Sequence, residues 1–200
     1  MPEFLKRNFT FDIRADTDSE NGAYITGRPI VFESRTNLGC CDEIIRAGAL
    51  DDADLSDVRF LVNHNVDMIP LARYKEGFKN STMQIQTDKD GLVMRVNLDI
   101  ENNQDARALY SAVQREDISG MSFMFTIDSD EWEGLETDHP TRYINKIGSV
   151  AEVSAVTFPA YEKTEISARD KEAVEEARKA LQKHDGVELE KLKLKYLMGV

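Results

Sequence analysis

The chain has 200 residues, 41% of them hydrophobic and 31% charged, which suits one globular domain carrying a polar appendage. Its formal net charge of −12 sets it against nucleic acid, because phosphate binding relies on clustered Lys and Arg. No run of about 18 apolar residues is present to span a membrane, and the N-terminal Met1–Asn8 segment lacks the apolar stretch of a signal peptide. A cytosol-like compartment is therefore expected.

The first two thirds of the chain read mainly as β. Phe9, Phe11 and Ile13 alternate with polar positions and predict a strand from about Arg7 to Arg14. Asn21-Gly22 marks a turn, after which Ala23 to Phe32 resumes as a strand interrupted by Gly27 and Pro29. Cys40 and Cys41 are adjacent, a spacing that disfavours a disulfide between them, and two thiols alone do not make a zinc site. No base accompanies them, so they are read as reduced thiols at a strand start.

Further strands are expected at Glu43 to Arg46, Val58 to Val62, Ile69 to Arg73, Met83 to Thr87 and Leu92 to Leu98, the last two joined as a hairpin at Asp90-Gly91. Ala106, Leu109, Tyr110 and Val113 follow the helical template, predicting a helix from Asn103 to Arg115 capped by Asn102 or Asn103. Strands return at Met121 to Asp128, Thr141 to Ile147 and Ser149 to Thr157, with Pro159 as a stop. The acidic run between Asp128 and Asp138 invites a calcium loop and fails it. Counting Asp128 as the first position puts Glu133 where the glycine is needed, with Gly134 one place late. A solvated loop is the better account. From Ser167 the composition turns rich in Ala, Glu and Lys, predicting a helix over Ala168 to Lys183 and a charged end beyond it.

Three polar residues sit where apolar ones belong. Ser122 lies in the run Gly120-Met121-Ser122-Phe123-Met124-Phe125-Thr126-Ile127, whose alternation places Ser122, Met124 and Thr126 on one face. His64 closes the run Phe60-Leu61-Val62 between Asn63 and Asn65, a setting that can fix its tautomer. Glu152 is the only charged residue from Ile147 to Tyr161, and a buried carboxylate needs a cation or donors. Its partner could be His64 or, in a purely structural role, Arg142. Ser119 and Ser154 are rival hydroxyls; Ser119 fits a turn, and Ser154 shares a strand face with Glu152. His139 and His184 read as solvated. Hydroxyl, imidazole and carboxylate are the chemical types of a serine hydrolase triad.

The ordered set of Gly27–Phe32, Glu43–Leu50, Phe60–Asn65, Asp90-Gly91-Leu92, Gly120–Phe125 and Glu152–Ala160 resembles the prohead proteases of tailed bacteriophages, relatives of the herpesvirus capsid-assembly proteases. The resemblance spans about residues 8 to 167. It implies a mainly β fold with helices (α+β), a closed β-barrel of the herpesvirus-protease type over residues 1–168, with a charged helical tail over 169–200. It implies His64 as general base, Ser122 as nucleophile and Glu152 as third member, with His139 as the fallback; the resemblance does not assign the oxyanion donors, for which the turn at Phe158 to Tyr161 is a separate candidate. The implied activity is a serine endopeptidase that needs no cofactor or metal. Its implied partners are the phage scaffold, the N-terminal segment of the major capsid protein and the protease itself, with a homo-oligomer left open. Nucleic acid and membrane are not among them. The implied place of action is the assembling procapsid in the host cytoplasm. The rival function is a non-enzymatic assembly or scaffold-binding module on the same fold; a metal-dependent hydrolase ranks third.

Overall fold

The computed structural model describes residues 4–9, 13–18, 22–157 and 170–183. The strands are β1 (Leu5–Phe9), β2 (Arg14–Asp18), β3 (Gly22–Val31), β4 (Arg35–Asn37), β5 (Asp42–Ile45), β6 (Asp57–Val62), β7 (Ala72–Lys75), β8 (Met83–Asp88) and β9 (Gly91–Asn97). Helix α1 (Gln104–Gln114) follows, then β10 (Gly120–Glu133) and β11 (Thr141–Val156), and α2 over residues 170–183. The protein is mainly β with helices, as expected.

Contacts divide the chain into two units. The first, Met1–Ser34, Ile45–Asp130 and Ile144–Tyr161, holds the three candidate site residues. In it β1, β10, β11, β6 and β7 lie side by side, and a second sheet runs in the order β2, β3, β9, β8. Phe60, Phe123, Phe125, Ile25, Ile30, Met83, Leu92 and Met94 pack its core. Each such side chain contributes about 1.5–3 kcal/mol when fully buried. Helix α1 adds Ala106, Leu109, Tyr110 and Val113, and Asn103 caps it by accepting from the Asp105 and Ala106 N–H groups at 2.9 and 3.2 Å.

The second unit, Arg35–Ile44, Glu131–Tyr143 and Glu162–Val200, contains β4, most of β5, the outer ends of β10 and β11, and α2. Arg178 on α2 donates to the Leu135 and Thr137 carbonyls at 2.9 and 2.5 Å, and Asp170 and Val174 are buried.

Several strand expectations shift for identifiable reasons. The single strand predicted from Arg7 to Arg14 is two strands in different sheets, since β1 pairs with β10 and β2 with β3. The predicted strand Ile69 to Arg73 moves to Ala72–Lys75, beyond Pro70, which has no N–H for a ladder. Thr141 to Ile147 and Ser149 to Thr157 are one continuous strand. Gly148, read as a break, is instead a close approach: a Cβ there would lie 2.3 Å from Asp128 Oδ1. The acidic run is not loop throughout, because β10 extends to Glu133. Short β4 carries no apolar pattern and was not foreseen.

The expected closed barrel is not formed by the described strands. Among the described residues the strands form two sheets, and β7 and β8 face each other without a ladder. The N–H groups of β7 go elsewhere: Arg73 N donates to Thr82 Oγ1 and Lys75 N to Ser81 Oγ, both at 3.1 Å. Hydroxyls satisfy an edge that β8 would otherwise pair. The expected boundary at 168/169, the Phe158–Tyr161 turn, His184 and the charged end beyond it lie outside the described residues.

Gly91 opens β9 with φ 141°, and a Cβ there would fall 1.9 Å from the Ile30 carbonyl oxygen. Neither backbone can yield without breaking the β3–β9 pairing. Gly91→Ala should therefore destabilise the protein by roughly 3 kcal/mol or more, combining overpacking with a strained backbone. Urea unfolding of the two proteins checks this, and a loss within 0.5 kcal/mol (about the size of a neutral surface change) would contradict it.

Candidate active site

The site is built where three elements of the first unit meet. β6 runs parallel to β11, with Leu61 opposite Ser154 and Arg59 opposite Glu152. At the end of β6 the chain turns sharply. Asn63 and His64 both take left-handed backbone, with φ 52° and 55°. For a residue other than glycine that region costs about 1–3 kcal/mol and needs support. Two clamps supply it. The Asn63 side chain donates to Thr157 Oγ1 at 3.0 Å and accepts from Thr157 N at 2.9 Å. His64 N donates to Ser154 Oγ at 3.0 Å.

This turn swings the His64 ring between two other strands. Its Nδ1 meets Glu152 Oε1 in a very short contact, and its Nε2 lies 2.5 Å from Ser122 Oγ on β10. Glu152 does not stand on the imidazole alone, because Ser154 Oγ donates to its second oxygen at 2.6 Å. Both carboxylate oxygens are thus engaged, as burial at 3% exposure requires. Ser154 is bonded on both sides: it accepts from the His64 backbone and donates to the acid.

Ser122 is fully buried, and its hydroxyl donates to the Arg7 carbonyl on β1 at 2.8 Å. The sequence carried no sign of that contact, since a main-chain carbonyl is present at every position. The dual role of Ser154 was only half visible, as a hydroxyl two residues from the acid on the same face.

The other candidates lie elsewhere in the bonding pattern. His139 pairs through Nε2 with Asp42 Oδ1 at 2.9 Å, within the second unit. Arg142, the structural alternative for Glu152, sits 3.9 Å from Glu43 and 5.3 Å from the Trp132 ring centroid. Ser119 is exposed in the loop before β10. Among the described residues, no group of three or more His, Cys, Asp or Glu side chains is placed to hold a metal ion.

A hydroxyl, an imidazole and a carboxylate in one hydrogen-bonded line suit proton transfer from the first group to the second. Comparison with known proteins agrees in kind. The family model for the caudovirus prohead serine protease matches residues 9–179. The chain belongs to that family. It is accordingly a serine protease, and its role lies in phage capsid assembly. It is 28% identical over 174 residues to the prohead protease of Enterobacteria phage HK97, covering 84% of this chain and 70% of that one. The bacteriophage T4 capsid assembly protease aligns over 79% of this chain and 99% of its own, at 15% identity and a TM-score of 0.48.

The two thiols stand apart from this chemistry. Burial pushes both the Cys40 and Cys41 thiols above the usual range, strongly so for Cys41. They are therefore held as thiols near neutral pH, whereas the thiolate is the reactive form. Proteolysis should be unchanged after incubation with iodoacetamide at neutral pH. Loss of activity in step with alkylation would make a cysteine part of the site.

Proposed function

We propose that the protein is the procapsid maturation endopeptidase of its phage, with Ser122 as nucleophile, His64 as general base and Glu152 as the group that orients the ring. The observation that carries this reading is the unbroken line from Glu152 through both ring nitrogens of His64 to Ser122. With Nδ1–H donated to the carboxylate, Nε2 is the nitrogen left to take the hydroxyl proton. The alkoxide attacks a peptide carbonyl carbon. His64 then returns the proton to the leaving amine, and water repeats the sequence on the acyl-enzyme. Glu152 stabilises the imidazolium formed in each half. Ser154 keeps the acid in place and holds the turn that carries the base.

The substrates in this reading are the scaffold, the N-terminal segment of the major capsid protein and the protease itself, met inside the assembling procapsid in the host cytoplasm. In this reading residues 1–168 are the protease domain and the charged segment 169–200 is a target for self-cleavage. β7 lies against β8 without a ladder, and that packing supports a barrel-like arrangement of the two sheets. The family assignment disfavours a non-enzymatic assembly module, and the hydroxyl–imidazole–carboxylate line favours a serine hydrolase over a metal-dependent one.

Ser122→Ala and His64→Ala should each lower scaffold cleavage by on the order of 10⁶-fold, and Glu152→Gln by roughly 10⁴-fold, with the fold kept. Gel assays with purified scaffold measure all three, and scaffold processing by Ser122→Ala protein at the wild-type rate would end the proposal. Ser154→Ala removes a hydrogen bond to a charged group, so a loss of roughly tenfold to a hundredfold is expected. Wild-type kcat in that variant would show that Glu152 needs no second anchor. Over time, intact mass spectrometry should show the wild-type protein losing part of Ser167–Val200 while Ser122→Ala keeps it. An intact tail on active protein would contradict self-cleavage there.

A further inference from the structure

We propose that the outer edge of β10 beside Ser122 is a strand-accepting surface whose resident occupant is this chain's own β1, and that this occupancy holds the protein in an inhibited state. The inference rests on Ser122 being the nucleophile. It begins with accessibility: Ser122 has 0% exposure, and a peptide carbonyl must reach its oxygen for any reaction to start. What meets that oxygen is β1. The strand pairs antiparallel with β10 from Leu5 opposite Phe125 to Phe9 opposite Met121, which sets Asn8 across from Ser122.

The hydrogen-bond chemistry makes this contact inhibitory rather than neutral. Ser122 has one hydroxyl proton and two neighbours that could receive it, the Arg7 carbonyl at 2.8 Å and His64 Nε2 at 2.5 Å. A carbonyl oxygen can only accept. With the proton on Arg7, Nε2 must itself donate to Ser122, and a ring nitrogen that donates cannot act as base. With the proton on Nε2, the carbonyl oxygen faces a bare lone pair. The Arg7 carbonyl therefore opposes the arrangement that catalysis needs. It also presents its oxygen, not its carbon, to the nucleophile, so the strand is held without being attacked.

The position of β1 is that of an edge occupant: among the described residues it forms a ladder with β10 alone, at the end of its sheet. Its seat is nevertheless specific, because the Arg7 side chain is 2% exposed on the inward face while Lys6 is exposed. An extended peptide from another protein would take this edge by strand addition once β1 withdraws.

The test fastens the strand in the full-length chain. Lys6 and Met124 are direct partners across the ladder, so Lys6→Cys combined with Met124→Cys allows a disulfide between them. Oxidised, this variant should react with a fluorophosphonate at least tenfold more slowly than its reduced form, and reduction should restore the rate. A chain lacking residues 1–8 should react at least tenfold faster than wild type. Equal rates for the oxidised and reduced forms, with the disulfide confirmed by mass, would overturn the proposal, as would a folded truncated chain that reacts no faster. A readout independent of catalysis separates this outcome from failure of the nucleophile assignment. A fluorescent peptide with the sequence of residues 1–12 should bind the truncated chain and not the oxidised variant. If Ser122→Ala reacted with the fluorophosphonate like wild type, the nucleophile would be wrong, and peptide binding alone would decide whether β1 fills the edge. Equal binding to the truncated and oxidised chains would refute it.

Discussion

Burying one carboxylate sets the terms for everything around it. Glu152 lies in the middle of an apolar strand, where an unpartnered charge would cost several kcal/mol. The fold answers with two donors, the His64 ring on one oxygen and the Ser154 hydroxyl on the other. Those donors fix more than the acid. Ser154 also takes the backbone N–H of His64, in the left-handed turn that ends β6. The imidazole, once held by Glu152, has a single direction left for Nε2, and β10 lies in that direction. The parallel pairing of β6 with β11 is what makes this geometry available, because it brings the end of β6 level with Glu152 and Ser154.

The site was legible for the same reason that it is costly. A histidine ending an apolar strand, a serine among phenylalanines and a lone acid each broke a pattern, and broken patterns are visible in one sequence. The structure brings all three together and leaves His139 with Asp42. Elements with strong local signals were equally readable: the helix at Gln104–Gln114 and the hairpin from Met83 to Asn97 fall close to their expected places. The mainly β class followed from them.

What escaped depended on contacts between distant segments. Gly148 resembled a strand break because a missing side chain carries no record of its neighbour; only the fold shows Asp128 filling that space. The split between β1 and β2 depends on which sheet each strand joins, and alternation continues across the switch. The β7 edge is satisfied by the Ser81 and Thr82 hydroxyls, so closure by a ladder failed there for reasons that composition does not record. The cover over Ser122 is the extreme case, since its bonding atom is a main-chain carbonyl.

The central claim is that Ser122 is the nucleophile and that it acts through His64. Peptide mass spectrometry after prolonged fluorophosphonate treatment tests it at atomic resolution of the chemistry. The account predicts one adduct, on Ser122, absent from Ser122→Ala and strongly reduced in His64→Ala. An adduct on Ser119 or Ser154, or undiminished modification of Ser122 without His64, would contradict it.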